Sequence, residues 1–144
     1  MEDTNRALLQ LCYAGALVDA ANNYALLGGT QKIEEKKALE QRAVASQQLS
    51  RFGAKTPAEV LRRMMEVFGC TSWEIEEEEK STSAVTTSCL MCAIAKKTGG
   101  ASPCTLFCIN PMKAYGKALE PSYDLAVEET LWEGKECRFV FERG

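Results

Sequence analysis

Cys89-x2-Cys92-x11-Cys104-x3-Cys108, followed by Cys137, gathers five of the chain's seven cysteines into its C-terminal stretch, and the chain has no histidine. Thiols are strong nucleophiles and soft-metal ligands once deprotonated, so this cluster is where chemistry would reside. The absent imidazole removes the usual general base and the commonest nitrogen ligand for a metal. Two chemistries remain. Cys89 and Cys92 share a helix face, as do Cys104 and Cys108, so four thiolates from two helical turns could close a tetrahedral zinc site or hold an iron–sulfur cluster. Alternatively, a cysteine acts as nucleophile with a carboxylate, a lysine or water as its base. A cysteine–histidine hydrolase is excluded. Cysteine is also among the most buried residue types, so plain core packing is the third reading of every member.

Cys104 follows Ser102-Pro103 and Cys89 follows Thr86-Thr87-Ser88, so each is expected at the start of a helix. Backbone N–H groups and partial positive charge there favour a thiolate. Alternation through Tyr123, Leu125, Val127, Glu129 and Leu131 places Glu129 on an apolar strand face, an inward carboxylate that must be paired, protonated or functional. A bulge in that strand would shift the register and expose it instead. Cys137, Phe139 and Phe141 share a face on the following strand, which would bring Cys137 near Glu129.

The positioning elements follow from periodicity. Asn5–Leu27 reads as a helix, with Leu8, Leu11, Cys12, Gly15, Val18 and Leu26 near one face and several alanines that permit close approach of another helix. Gly28-Gly29-Thr30 ends it and caps a second, highly charged helix from Gln31 to Phe52, whose sparse apolar positions are Ile33, Leu39, Ala43 and Leu49. The two could fold back as an α-hairpin (residues 1–52), packing on the rest of the chain (residues 53–144) or on a second copy. Thr56-Pro57-Ala58-Glu59 is a capping box with proline at the first helical position, and Leu61, Met64, Met65 and Phe68 follow at helical spacing before Gly69.

From Cys70 the period changes to two. Cys70–Glu77 and Ser83–Thr87 read as a hairpin around the acidic Glu76–Glu79 run. Cys89–Thr98 reads as helix, Gly99-Gly100 breaks it, and a further helix covers Cys104–Leu119 with a bend at Pro111. A last hairpin joins Tyr123–Leu131 to Glu136–Glu142 through Trp132–Lys135. The expected fold is therefore α+β: an N-terminal helical hairpin and a four-stranded antiparallel sheet built of two hairpins, with helices on one face.

A net charge of −3 over 144 residues gives no basic footprint for nucleic acid or anionic membrane. Glu2 and Asp3 stand where a signal peptide would carry positive charge, and Gln10, Asp19, Asn22 and Asn23 interrupt the first apolar stretch as a membrane span. The expectation is a cytoplasmic protein with reduced thiols.

The order Cys89, Ala95-Lys96-Lys97, Gly99-Gly100, Pro103-Cys104-Thr-Leu-Phe-Cys108, Leu119-Glu120-Pro121, Glu129-Thr130-Leu131-Trp132-Glu133-Gly134 and Cys137-Arg138-Phe139 resembles the L-2-amino-thiazoline-4-carboxylic acid hydrolase-like family. The tail from Glu129 to Phe139 is also similar to 4-vinyl-reductase-like ligand-binding domains. The resemblance covers roughly residues 60–142. It implies an α+β domain with an internal small-molecule pocket and, for the named activity, hydrolytic opening of a thiazoline ring. It further implies Cys104 or Cys89 as nucleophile, Glu129 as acid/base, and Cys108, Cys137 and Trp132 at the ligand. It calls for no cofactor, the metal held by Cys89, Cys92, Cys104 and Cys108 being the alternative. The expected partners are a small-molecule ligand and, through the N-terminal helices, a second copy of the chain.

Overall fold

The computed structural model describes residues 2–144. Helices α1 (Asp3–Leu26), α2 (Thr30–Phe52) and α3 (Pro57–Phe68) lead into strands β1 (Glu74–Glu77) and β2 (Ser81–Thr86). Then come α4 (Leu90–Lys97), a π-helical turn (Thr105–Ile109), α5 (Asn110–Leu119), β3 (Tyr123–Glu129) and β4 (Cys137–Arg143). The strands form one antiparallel sheet in the order β1-β2-β4-β3, so the two hairpins join through their second strands. This is the α+β architecture that the change of period at Cys70 implies.

Register sets which side chains meet the helices. Ile75, Ala84, Phe139 and Val127 line up as one row across the sheet, and Thr82, Phe141 and Leu125 as the next. Along β4 the buried residues are Cys137, Phe139 and Phe141, with Phe139 only 1% exposed. Strand side chains alternate faces, so these rows form the inner surface on which α5 lies. The fit is close at Gly116, where an added Cβ would sit 3.3 Å from the Phe141 ring. The principal core joins this face to Ala45 and Leu49 of α2, Val60 and Leu61 of α3, and Met112, Ala114 and Tyr115 of α5.

Helix α3 starts with the expected Thr56 cap: Thr56 Oγ1 accepts the Glu59 N–H at 3.2 Å, while the Glu59 carboxylate reaches one residue past the N-cap and accepts the Lys55 N–H at 2.6 Å. Gly69 ends it in the left-handed region at φ +63°, where a side chain would be strained. Val60 and Leu61 are its deeply buried residues, while Met64, Met65 and Phe68 are half-buried.

The N-terminal helices differ from the expectation in their buried faces and in the cap of α2. Joined by a short connection, they touch each other at few residues and pack chiefly on the rest of the chain, α1 on α4 and α2 on α5. The buried residues of α1 are Ala14, Val18 and Ala21, with Ala14 and Val18 packed on Met91 and Ala95 of α4, whereas Leu8, Leu11 and Leu26 are exposed, Leu26 to 82%. Small side chains allow the close helix–helix approach that leucines would block. On α2 the buried residues are Ala45 and Leu49, and Leu39 is 64% exposed. Gly29 rather than Thr30 is the N-cap of α2, with no side-chain cap.

Side-chain amides tie α1 to distant loops. Gln10 Nε2 donates to the carbonyls of Glu66 and Val67 at the end of α3, and Asn22 Oδ1 accepts the Ala101 N–H at 2.8 Å. Among the described residues no helix is long and apolar enough to cross a membrane.

Candidate functional site

The segment from Cys70 to Trp73 is not regular strand. It runs beside the end of β2, with a single bridge between Thr71 and Cys89 and the Leu90 N–H donating to the Cys70 carbonyl at 2.8 Å. Thr86, buried at the end of β2, stitches the turn: its hydroxyl donates to the Ser88 carbonyl and accepts N–H groups from Ser72 and Ser88. This arrangement delivers Cys89 as the N-cap residue of α4 and buries Cys92 one turn later. Cys104 stands at the N-cap of the π-helical turn, Cys108 lies within that turn, and Cys137 opens β4.

All five of these cysteines border one void of about 20 Å³, room for a single water and no more. All seven cysteines are free thiols. Cys92 Sγ and Cys104 Sγ lie 3.6 Å apart, in thiol–thiol hydrogen-bonding contact. Among the described residues no three cysteines or carboxylates converge as a metal-ligand set, so the cage of Cys89, Cys92, Cys104 and Cys108 is not assembled.

The thiols fall into two electrostatic classes. The hydrogen bond from Cys92 draws Cys104 down to about 6 against burial, helped by the Ser102 hydroxyl, the Lys96 charge and its own backbone N–H. Cys89 is drawn down to about 7, first by Cys92, against burial, and then by the N–H groups of Cys92 and Met91. One Cys92 proton can serve only one acceptor at a time, and two thiolates here would repel each other. Cys104, with Ser102 and Lys96 besides, is the better-supported thiolate. Cys92 itself is pushed up by donating to these partners, and burial pushes Cys108 well above the ordinary thiol range and Cys70 and Cys137 to about 11. Cys137 also accepts the Leu131 N–H through sulfur at 3.2 Å.

Glu129 is turned from the apolar face by a bulge. Val127 pairs with Phe139, but Glu129 pairs with Arg138, so one extra residue enters β3 and Glu129 shares the face of Arg138 rather than that of Phe139. Its carboxylate instead accepts the N–H groups of Lys135 and Glu136 at 2.8 and 3.1 Å, closing the loop before β4. The strand consequently ends at Glu129 and not at Leu131. Trp132, in that loop, packs on the α1–α4 cluster, with Lys96 Nζ 5.7 Å from its ring centroid and donating to the Leu131 carbonyl.

The larger space lies elsewhere. A cavity of about 470 Å³ opens between α1, α2, α3, the π-helical turn, α5 and the Cys70–Trp73 segment, within the size range of small-ligand sites. The rings of Tyr13, Phe52, Phe68, Trp73, Phe107 and Tyr115 line it; Cys70, Cys89 and Cys108 reach its wall, and Lys37 and Arg51 supply its charge. Gln41 and Gln48 of α2 are its amides, and Gln48 accepts the Tyr115 hydroxyl at 2.9 Å.

Gln41 is fixed by a defect in the opposite helix. The Asn110 N–H donates to the Thr105 carbonyl, five residues back, so the next carbonyl in this π pattern, that of Leu106, would look to residue 111. That residue is proline and has no N–H. Gln41 Nε2 fills the gap, donating to the Leu106 carbonyl at 3.2 Å. The amide orientation is thereby set, and Gln41 Oε1 is left buried without a donor. The expected continuous Cys104–Leu119 helix is thus a π-helical turn followed by α5. Pro111 marks the irregularity in the sequence, but nothing singles out Gln41 among the polar residues of α2.

No family model matches the chain, and no curated protein matches it. Among solved structures, the fold is similar to the phenol-responsive sensory domain of the transcription activator PoxR, solved with phenol, at a TM-score of 0.59 and 9% identity over 90% of this chain and 74% of that one.

Proposed function

We propose that this chain is a small-molecule-binding domain whose ligand is a small aromatic compound bearing one hydrogen-bond donor, phenolic in chemistry. The observation that carries the proposal is Gln41, a wall residue of the cavity lined by aromatic rings, whose Oε1 is buried without a donor. An unpaired buried acceptor costs roughly 1–3 kcal/mol, and a ligand O–H or N–H placed on it recovers that cost. The likeness to a phenol-responsive domain supports the same reading at the level of fold.

Calorimetric titration with phenol, with toluene as the ring lacking a donor, tests this reading. Saturable one-to-one binding of phenol is expected, tighter than toluene by about tenfold or more, the equivalent of one hydrogen bond. Gln41→Met should abolish the preference. Leu17→Trp, which fills the cavity without disturbing the Leu106 carbonyl, should abolish binding. Equal affinity for the two ligands, or none for either, overturns the proposal.

The cysteine–carboxylate hydrolysis implied by the resemblance to the thiazoline-carboxylate hydrolase-like family has the lowered Cys104 thiol in its favour, whereas the Glu129 carboxylate is committed to loop N–H groups. Self-association through the N-terminal helices has the exposed Leu8, Leu9 and Leu11 of α1 behind it, and sedimentation over a range of concentrations tests it.

A further inference from the structure

We propose that Cys92 and Cys104 are an oxidisable dithiol, closed to a disulfide by small hydroperoxides. Three separate features point to the pair. The sulfurs are already in contact at 3.6 Å, and a disulfide needs them at about 2.05 Å, so the closure is short. The two residues are joined by a connection through Thr98–Pro103 that includes Gly99 in the left-handed region, at φ +65°, where nothing lies within 4 Å of an added Cβ. That connection lies outside α4 and α5 and is held to α1 at Ala101 by Asn22. Finally, Cys104 is itself half-buried rather than sealed, and an open cleft of about 580 Å³ reaches its partner Cys92 with Lys96 on the wall.

The roles divide by environment. Cys104 has the Cys92 thiol against its sulfur, with Ser102 at its N–H and the Lys96 charge nearby, and it is the attacking thiolate. Cys92, buried and holding its proton, is the resolving thiol. In the first step the Cys104 thiolate attacks the hydroperoxide: an S–O bond forms, the O–O bond breaks, and the alcohol (or water, from hydrogen peroxide) departs with a proton. Cys104 becomes a sulfenic acid. The Cys92 sulfur then attacks that sulfur, expelling hydroxide, which leaves as water with the Cys92 proton. Two thiols and one hydroperoxide give one disulfide, one alcohol and one water, a two-electron oxidation of the protein.

The bond would join α4 to the π-helical turn. Cys89 is the rival partner, because it also neighbours Cys92, three residues away at the head of α4. A Cys89–Cys92 bridge would lie within one helical turn and would leave Cys104 free. The dithiol stands apart from the ligand reading, since neither Cys92 nor Cys104 lines the aromatic cavity.

The test is peptide mapping of the whole reduced chain after one equivalent of hydrogen peroxide. Cleavage after lysine and arginine separates a peptide holding Cys89 and Cys92 from one holding Cys104 and Cys108. The expected product is these two peptides joined, two hydrogens lighter than their sum, with fragmentation placing the bond at Cys92 and Cys104. Cys89→Ser should keep the cross-link. Cys92→Ser should replace it with a sulfenic acid at Cys104 trapped by dimedone, and Cys104→Ser should slow thiol loss at Cys92 by about tenfold or more. Circular dichroism of each variant confirms its fold, and Cys92→Ala serves if Cys92→Ser does not fold. A bond confined to the Cys89–Cys92 peptide, a cross-link through Cys108, or oxidation unaffected by Cys104→Ser overturns the proposal.

Discussion

At the scale of single residues, the thiol cluster is a study in how one proton orders several groups. Cys92 donates and its neighbours benefit, so alkylation of Cys104 by iodoacetamide should follow a titration centred near pH 6 rather than near the ordinary thiol value of 9.0. Cys92→Ala removes the donor and should move that midpoint upward, which mass spectrometry of alkylated peptides across pH would record. Glu129 has the opposite lesson, because a carboxylate that alternation places inward is in fact a loop organiser. Glu129→Ala should cost roughly 1–3 kcal/mol through the loss of charge-assisted hydrogen bonds to the Lys135 and Glu136 N–H groups, read from urea unfolding. The position of Cys89 at a helix start was legible in the sequence, since Thr86-Thr87-Ser88 precede an apolar helical run. The turn of Glu129 was not, because a bulge is an extra residue in a pairing, and pairing partners are not written in one strand.

At the scale of elements, local chemistry was legible wherever it is short-ranged. The cap of α3 lies within five residues: Thr56 Oγ1 accepts the Glu59 N–H, and the Glu59 carboxylate reaches back to the Lys55 N–H, one residue before the N-cap. Thr56→Ala should cost about 1 kcal/mol, measured by thermal melting. The π-helical turn before α5 is the less legible case. Pro111 announces a break, but the partner that repairs it comes from Gln41 on α2, 65 residues earlier than Leu106. Pro111→Ala would restore the missing N–H. The expected outcome is that the Leu106 carbonyl pairs within the helix, Gln41 loses its anchor, and phenol affinity drops while helix content holds or rises. The burial of α1 is similarly non-local. Its small residues Ala14 and Val18 meet Met91 and Ala95 of α4, and the position of α4 selects them over the leucines.

At the scale of the whole molecule, the packing leaves a tight thiol-lined void and, among its wider spaces, an aromatic cavity. The core between them is dense at Phe139, so Phe139→Ala should cost about 3–5 kcal/mol and lower the urea midpoint accordingly. The buried thiols also make stability depend on pH. Cys70 and Cys137 hold their protons to about 11 in the fold but release them near 9.0 when unfolded. Their contribution is whole below pH 9 and is lost as pH rises to 11, so the urea midpoint should fall over that interval. Cys104 has the reverse sign. Its contribution is present above pH 9 and lost as pH falls through about 6, and Cys104→Ser should flatten the stability profile on that side.

Read by itself, the sequence determined the α+β class, the two hairpins, the start of α3 and the crowding of cysteines toward helix starts. Each of these rests on periodicity or capping within a few residues, where the chain interacts with itself locally. Tertiary structure decided which sulfurs touch, where Glu129 points and which amide is left without a partner. Those outcomes depend on strand register, helix docking and a carbonyl orphaned by Pro111, all of them set by contacts between residues far apart in the chain. The cysteine spacing told where reactive groups gather; only the packing distinguished the Cys92–Cys104 contact from the aromatic cavity beside it.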